Sequence, residues 1–336
     1  MSVEEQCWRL GRRGRRWRPF CEAAQVRARG CSRRLQRALV DFGAEESFAR
    51  ATARVREHYG LEVAVQQVRR QSLRHGAAMN GLVVAPPPRP VARLLTEMDG
   101  SLIPVVRTQP GAVDERKAKE LLWREVRLCL ARDVDCVSAR YGATLGTVEV
   151  AGLLWEQTAR AAGLGAQTQV HGLGDGAGWI MSQFGEQFGE QGRYLVDFYH
   201  VAEYIAAAAV TVEARNPQGW RRRQLGRLLD QRVGSVLKAL AAHLEPEGVT
   251  EAPVRTAHRY LSERREHLHY AQARAQGLPI GSGEIESGHR HVVQQRLKLA
   301  GAWWKETNAE KMLGLRIARA NNQWDQYWLT RTATKN

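Results

Sequence analysis

Four prolines fall within residues 85–90, and neither a helix nor a central strand tolerates that density, since each proline fixes φ and removes a backbone donor. The segment reads as a stiff linker. The chain must therefore fold as two parts with different patterning, one on each side of it.

Ahead of the linker the apolar spacing is helical. Phe48, Ala51, Val55 and Tyr59 recur at helical intervals over residues 44–59, Gly60 breaks the run, and a second helix is predicted over about 64–79. Its apolar stripe is Val65, Val68, Ser72 and Leu73, with Arg69, Arg70 and Arg74 elsewhere on its surface. A helix, a glycine turn and a basic helix are the layout of a helix-turn-helix, expected here over residues 44–84, with the second helix entering the DNA major groove. A plain helical hairpin is the alternative. Residues 1–43 read as a basic arm that needs no fixed structure: residues 1–37 hold eleven arginines against three glutamates and little that could build a core.

Behind the linker the pattern changes. Residues 91–98 and 102–106 are rich in Leu, Ile and Val and predict two strands joined by a hairpin turn at Asp99-Gly100. Residues 121–130 supply a third strand. Residues 144–162 follow as an amphipathic helix with Val148, Leu153, Leu154 and Ala161 inward, then strands at 167–173 and 193–198 with a short helix between them. Three strands, a helix, a strand, a helix and a strand make an α/β order with a mixed sheet, compatible with a ribonuclease-H-like fold. The expected domains are a first part of the α/β core at 91–215, a helical insertion at 216–277, and the C-terminal helices of the core at 278–330. Trp303, Trp304, Trp324 and Trp328 are assigned to packing.

Fifty Lys and Arg against thirty-five Asp and Glu leave a net charge of +15. Such an excess points to a polyanionic partner, because each neutralised phosphate releases condensed counterions; a solvated cationic face is the plainer reading. No apolar run approaches the roughly 18 residues of a membrane span, and the basic start lacks a secretory layout, so a cytoplasmic protein with no membrane partner is expected. The five cysteines show no Cys-x-x-Cys pair. Cys7, Cys21 and Cys31 lack a fourth zinc ligand at regular spacing.

The chemistry-bearing candidates are acids. Asp99 ends one apolar run, and Asp175 follows another between two glycines, where lack of bulk lets a phosphate backbone come close. A hard divalent cation takes oxygen ligands, and a pair of ions stabilises both the attacking and the leaving oxygen of an in-line displacement. A third acid lies in residues 278–290, where Glu284 and Glu286 sit in the first turn of a helix that Ser282 or Gly283 can cap. Two residues apart, they point roughly 200° away from each other around the axis, so only one can face the cleft.

Met98-Asp99-Gly100-Ser101, Gly174-Asp175-Gly176-Ala177-Gly178-Trp179-Ile180, Asp197-Phe198-Tyr199-His200 and Gly281-Ser282-Gly283-Glu284-Ile285-Glu286, in that order, resemble bacterial insertion-sequence transposases of the Kra-type family, relatives of Lre-type and Mutator-like elements. The similarity continues through Arg296-Leu297-Lys298, Ala302-Trp303-Trp304 and Arg319-Ala320-Asn321-Asn322-Gln323-Trp324 and spans roughly residues 30–328. The resemblance implies a ribonuclease-H-like core with a catalytic, metal-holding triad of Asp99, Asp175 and Glu286, and two Mg²⁺ (or Mn²⁺) ions. Asp197 is the alternative second acid and Glu284 the alternative third. Asp197 and His200 match an Asp-x-x-His signature, with His200 expected to touch DNA near the cleavage point. The implied partners are double-stranded DNA, as element ends and target, and further copies of the chain in a synaptic complex. Arg69, Arg70, Arg74, Arg296 and Lys298 are the candidate DNA contacts. The Cys-x-x-Cys zinc ribbon that related proteins often carry near the N-terminus is missing. A DNA-binding repressor without catalysis and a structure-specific nuclease are the competing functions.

Overall fold

The computed structural model describes residues 6–9, 11, 16–23, 31–82, 85–87, 89–108 and 119–333. Five of the eleven arginines of the expected basic arm, Arg12, Arg13, Arg15, Arg27 and Arg29, lie outside the described residues. The chain divides into two compact units. One comprises Met1–Leu82, Pro104–Leu121 and Gln294–Asn336, the other Val83–Ile103 and Leu122–Val293.

The first unit is mainly helical. Two-residue strands β1 (Trp8–Arg9) and β2 (Arg16–Trp17) pair antiparallel, and α1 spans Pro19–Ala23. Ser32 caps α2 (Arg33–Glu45) through Leu35 N–H, and Ser47 caps α3 (Phe48–Tyr59) through Arg50 N–H, each satisfying an orphan donor of the first turn. Gly60, at φ 62°, ends α3 in the left-handed conformation that glycine adopts without strain, and α4 (Val65–Met79) follows. Leu39, Ala51, Val55 and Val68 form the shared core of these helices. The end of the expected arm is therefore structured: residues 33–43 lie in a helix whose Leu39 and Val40 are fully buried.

The C-terminal helices α14 (Glu306–Ala320) and α15 (Trp324–Ala333) belong to this unit, not to the α/β core as expected. Glycine makes the junction possible. A Cβ on Gly76 of α4 would lie 2.0 Å from the Lys311 carbonyl oxygen, and one on Gly314 of α14 would lie 2.6 Å from the Gly76 carbonyl oxygen. His75 adds hydrogen bonds to the Tyr327 hydroxyl at 2.8 Å and to Gln36 at 3.1 Å. Arg296 is buried here as well (2% exposed). Its guanidinium lies 4.7 Å from the Phe48 ring centre and 4.8 Å from that of Trp304, and it donates to the Gly43 carbonyl. Burial, then nearby Arg316, pulls its pKa down to about 10.

The second unit is a mixed α/β structure around a five-stranded sheet in the order β5-β4-β3-β6-β7, with β3 Arg93–Thr108, β4 Lys119–Asp133, β5 Arg140–Thr144, β6 Gln169–Gly174 and β7 Gly192–Val196. β3 and β4 run on past the second unit into the first. β5 is antiparallel to β4, while β6 is parallel to β3 and β7 parallel to β6. The expected element order holds, but the three leading strands are drawn differently. Asp99-Gly100 is no turn; it lies within β3, one long strand covering both predicted ones. The glycine serves a close approach instead, since a Cβ at residue 100 would meet Glu125 Oε1 at 2.3 Å.

Helices cover both faces of the sheet. On one, α5 (Val148–Ala161) donates from Trp155 Nε1 to Thr96 Oγ1 at 2.5 Å, and Phe184 of α6 (Gly178–Phe188) packs where Gly172 leaves room. α5 turns inward on Ala151, Trp155, Thr158 and Ala159, and Leu153, expected inside, is exposed. On the other face, His171 Nε2 bonds the Pro279 carbonyl at 2.8 Å, and Ile285 of α12 (Gly283–Gly288) donates to Glu97 Oε2 at 2.7 Å. Adjacent residues of a strand point to opposite faces, and the pairs Thr96/Glu97 and His171/Gly172 do so. A helical block follows, α7 (Phe198–Val212), α8 (Pro217–Leu229), α9 (Val233–Ala241), α10 (Pro253–Glu263) and α11 (Tyr270–Ala275), of which α8 to α11 lie within residues 216–277. A π-helical turn, His289–Gln294, and α13 (Gln295–Leu297) follow α12. Among the described residues no helix is long and apolar enough to cross a membrane.

The Gly76 contact is tight enough to measure. Gly76→Ala should separate α4 from α14 and cost about 1–3 kcal/mol in urea denaturation, whereas Gly81→Ala, which has open space, should leave the midpoint almost unchanged.

Candidate active site

The sheet register lines up three aspartates. β3 and β6 pair from Arg93 with Gln169 through Glu97 with Leu173, and the same phase sets Asp99 beside Asp175. β6 and β7 pair from Val170 with Gly192 through Gly174 with Val196, so Asp175 falls level with Asp197. Asp175 and Asp197 each sit one residue past their strand, at the start of the connection to α6 and α7. Acids placed so far apart in sequence thus reach one level of three adjacent parallel strands, just past the ends of β6 and β7 and inside the longer β3.

Each aspartate is held differently. Asp99 accepts its own neighbour's Gly100 N–H at 2.7 Å and lies 3.4 Å from His289 Nε2. Burial, and further the negative charges of Asp175 and Glu125, push its pKa up to about 6, with Gly100 N–H and His200 acting the other way. Asp175 accepts Ala177 N–H at 2.7 Å. Its backbone is braced from α10 and the residue after it: the Tyr260 hydroxyl donates to the Asp175 carbonyl, and Arg264 Nε to the Gly176 carbonyl at 2.8 Å. Gly176 holds φ at 78°, which few other residues adopt. Asp197 is 1% exposed. Its Oδ1 accepts from Tyr199 N–H (2.5 Å) and His200 N–H (3.2 Å), capping α7, and its Oδ2 accepts from the Ser282 backbone N–H (2.6 Å) and hydroxyl (2.5 Å).

That last pair of bonds brings in the third acid. Residues 280–282 are tied to the end of β7, also through Phe198 N–H to the Ile280 carbonyl at 2.9 Å, and α12 starts directly after them. Ser282 stands at the N-cap of α12, but its hydroxyl serves Asp197 and not the helix. The two glutamates of α12 separate as their spacing requires. Glu284 is bound in a fork by Arg132, Nε to Oε2 at 2.9 Å and a terminal nitrogen to Oε1 at 2.5 Å. Glu286 is exposed and makes no ion pair among the described residues. The side chain left available is Glu286.

Among the described residues one group of three has ligand atoms all within 4.8 Å of one another: Asp197, His200 and Glu286. Asp99 and Asp175 stand beside it, coupled to each other through charge, with Asp99 also coupled to His200. The expected triad Asp99, Asp175 and Glu286 is not itself that group; each aspartate has one oxygen turned to a local backbone N–H. The donor set still fits a hard divalent cation, being rich in carboxylate oxygen. Asp175 and Glu286 have no Lys or Arg partner among the described residues, and the Asp99 pKa is raised by burial first and then by the charge of Asp175. A scan against protein-family models matches none, and a search of curated proteins matches none.

Glu97, buried and two residues before Asp99, was missed by sequence reasoning, as were His289, Arg132, Tyr260 and Arg264. Its Oε2 takes the Ile285 N–H, while Oε1 has no hydrogen-bond partner among the described residues. Burial, and then the charges of Glu284 and Asp197, push its pKa up to about 8 against the Ile285 bond and Arg132. The strand period of two offered the signal, since Glu97 and Asp99 share a face.

The basic candidates divide. Arg70, Arg74 and Lys298 are exposed and Arg69 half-buried. Arg296 is corrected: enclosed by Phe48 and Trp304, it is a packing residue that no phosphate reaches. A cavity at the opposite ends of the strands, lined by Arg93, His171, Glu190, Arg193 and His269 among others, contains none of the candidate site acids.

The raised acid sets a pH dependence. The folded chain holds the Glu97 proton more tightly than the unfolded chain, so the stability this provides is full below about pH 4.5 and is lost as pH rises through about 8. In chelator, Glu97→Gln should be more stable than wild type by a few kcal/mol (roughly 1.4 kcal/mol per pKa unit) at pH 9. Thermal melts at pH 4.5 should show little of this advantage.

Proposed function

We propose that this chain is a DNA transposase of the DDE type, encoded by a bacterial insertion sequence, that binds terminal inverted repeats and cleaves and rejoins DNA strands. The observation that carries the reading is the register: Asp99 and Asp175 at one level of adjacent parallel strands, with Glu286 delivered to the same end by the clamp between Asp197 and Ser282. Three strands followed by two helix-linked parallel strands support a ribonuclease-H-like core.

Asp99, Asp175 and Glu286 would hold two Mg²⁺ or Mn²⁺ ions, which supply activation of water or a 3′-hydroxyl and neutralise charge on the phosphate in flight. Asp197 acts through position. With both oxygens engaged by four donors, it sets α12 and the first turn of α7 and so aims Glu286 and His200. His200, half-exposed beside the acids, is suited to touch DNA near the scissile bond. The chemistry is hydrolysis at the element end followed by attack of the freed 3′-hydroxyl on target DNA, with no covalent protein intermediate. Positioning carries much of such a reaction.

A helix-turn-helix reading of α3 and α4 is supported by the Gly60 turn and by Arg70 and Arg74 standing exposed on the second helix. With Lys298 and the basic N-terminal residues these supply phosphate contacts. Pairing two element ends calls for more than one copy of the chain.

The test is cleavage of duplex DNA carrying the inverted repeats that flank the coding sequence, with Mg²⁺ or Mn²⁺. Wild type should nick at the repeat ends and join them to target. Asp99→Asn, Asp175→Asn and Glu286→Gln should each lower the rate by on the order of 10²–10³-fold with duplex binding unchanged. Binding without metal-dependent cleavage would make the protein a repressor. Cleavage of branched DNA without strand transfer would make it a nuclease.

A further inference from the structure

We propose that Tyr199 is a stacking platform for an unpaired nucleobase at the cleavage site, so that the substrate strand is held there by a neutral base as well as by its phosphates. This inference rests on the reading of the neighbouring acids as a strand-cleaving site.

Tyr199 occupies the first turn of α7, between Asp197 and His200, and its own N–H donates to Asp197 Oδ1. Tyr199 is 65% exposed although it stands on a buried framework, and its hydroxyl has no hydrogen-bond partner among the described residues. The ring does not hang loose. It lies against the backbone of Gly281, where a Cβ would come within 2.6 Å of Tyr199 Cε2, and meets the Phe198 ring edge-on at 5.8 Å between centres. Gly281 is in the segment that Asp197 and Ser282 pin down, so one part of the ring is fixed by the same clamp that places Glu286. The rest is presented to solvent, one residue along α7 from His200 and against the segment that leads into α12 and Glu286.

Electrostatics gives the ring its purpose. Until cations are bound the carboxylates repel the phosphates of a nucleic acid, and a base is the part of a nucleotide that can approach them without that cost. Every base has a π-face, so an aromatic ring holds it whatever its identity, and stacking of this kind tolerates sequence. A base within a duplex is already stacked, so the ring selects an unpaired one. The substrate class is therefore a DNA strand whose bases are frayed or single-stranded next to the scissile phosphate.

The experiment uses the full-length chain and DNA with 2-aminopurine at the nucleotide next to the cleaved bond, as a single strand and as a duplex end. Wild type should quench the fluorescence on binding, and Tyr199→Phe and Tyr199→Trp should do the same. Tyr199→Ala should lose the quenching and bind the single strand about 10- to 100-fold more weakly, with binding to internal duplex unchanged. Tyr199→Leu keeps bulk against Gly281 without a π-face and should behave like Tyr199→Ala, which separates stacking from a disturbed loop. Full quenching by Tyr199→Ala or Tyr199→Leu would overturn the proposal, as would a Tyr199→Phe variant as defective as Tyr199→Ala, since that would implicate the hydroxyl. Quenching is read in Asp99→Asn protein as well, where no cleavage is needed. If quenching behaves as expected but wild type cuts nothing, the transposase reading fails and the stacking site stands; if wild type cuts and quenching is absent, only the stacking site falls.

Discussion

A buried carboxylate with four donors around it organises the acidic end of the sheet. Asp197 has almost no contact with water, and a desolvated carboxylate is tolerated only when hydrogen bonds replace its hydration. Two of those bonds come from the first turn of α7 and two from Ser282, more than eighty residues further along. Its own N–H bonds the Gly174 carbonyl, which anchors it to the end of β6. Strand end, helix start and distant loop therefore meet at one side chain. The accessible neighbours, Glu286 and His200, inherit their placement from it. The residue that is least free to bind anything decides where the free ones stand.

The other side of the acidic end is braced by the helical block. Tyr260 of α10 and Arg264, just past its end, both donate to carbonyls of the Asp175-Gly176 segment, and the Arg264 guanidinium lies 4.1 Å from the centre of the Tyr260 ring. Tyr260 is in turn stacked on Tyr204 of α7 at 4.0 Å. A segment that looks like a dispensable insertion in sequence thus fixes the backbone of an acid. The brace acts on main-chain oxygens, which leaves the Asp175 carboxylate with only its Ala177 bond among the described residues.

Much of the fold was legible, and the misreadings have physical causes. The α3 and α4 helices were readable because Ala51, Val55, Val68 and Ser72 fall on buried stripes and Gly60 ends the first helix. Asp99-Gly100 was misread because local turn propensity favours that dipeptide, while the long-range demand, room for Glu125, is invisible in a window of residues. The inner face of α5 was misassigned because it carries Ala151 and Gly152, small residues that let α6 approach and that add little to a hydrophobic pattern. Arg296 resembled a surface cation because nothing nearby in sequence announces Phe48, its distant cover. At the site, the spacing of Glu284 and Glu286 correctly required that only one be available, and the partner that decides between them, Arg132, is far away in the chain. Glu97 stayed hidden in an apolar run, where one acid reads as an interruption and not as a buried member of the cluster.

The close crossing of α4 and α14 has a consequence for synthesis. The surface of α4 around Gly76 is finished only by residues near Lys311 and Gly314, more than two hundred positions downstream. While the ribosome is still making the intervening sheet and helices, the front helices wait with an apolar flank uncovered, in need of a chaperone or of speed. An early stop codon that spared every acid would still release a polypeptide with that flank bare, prone to aggregation and quick to be degraded.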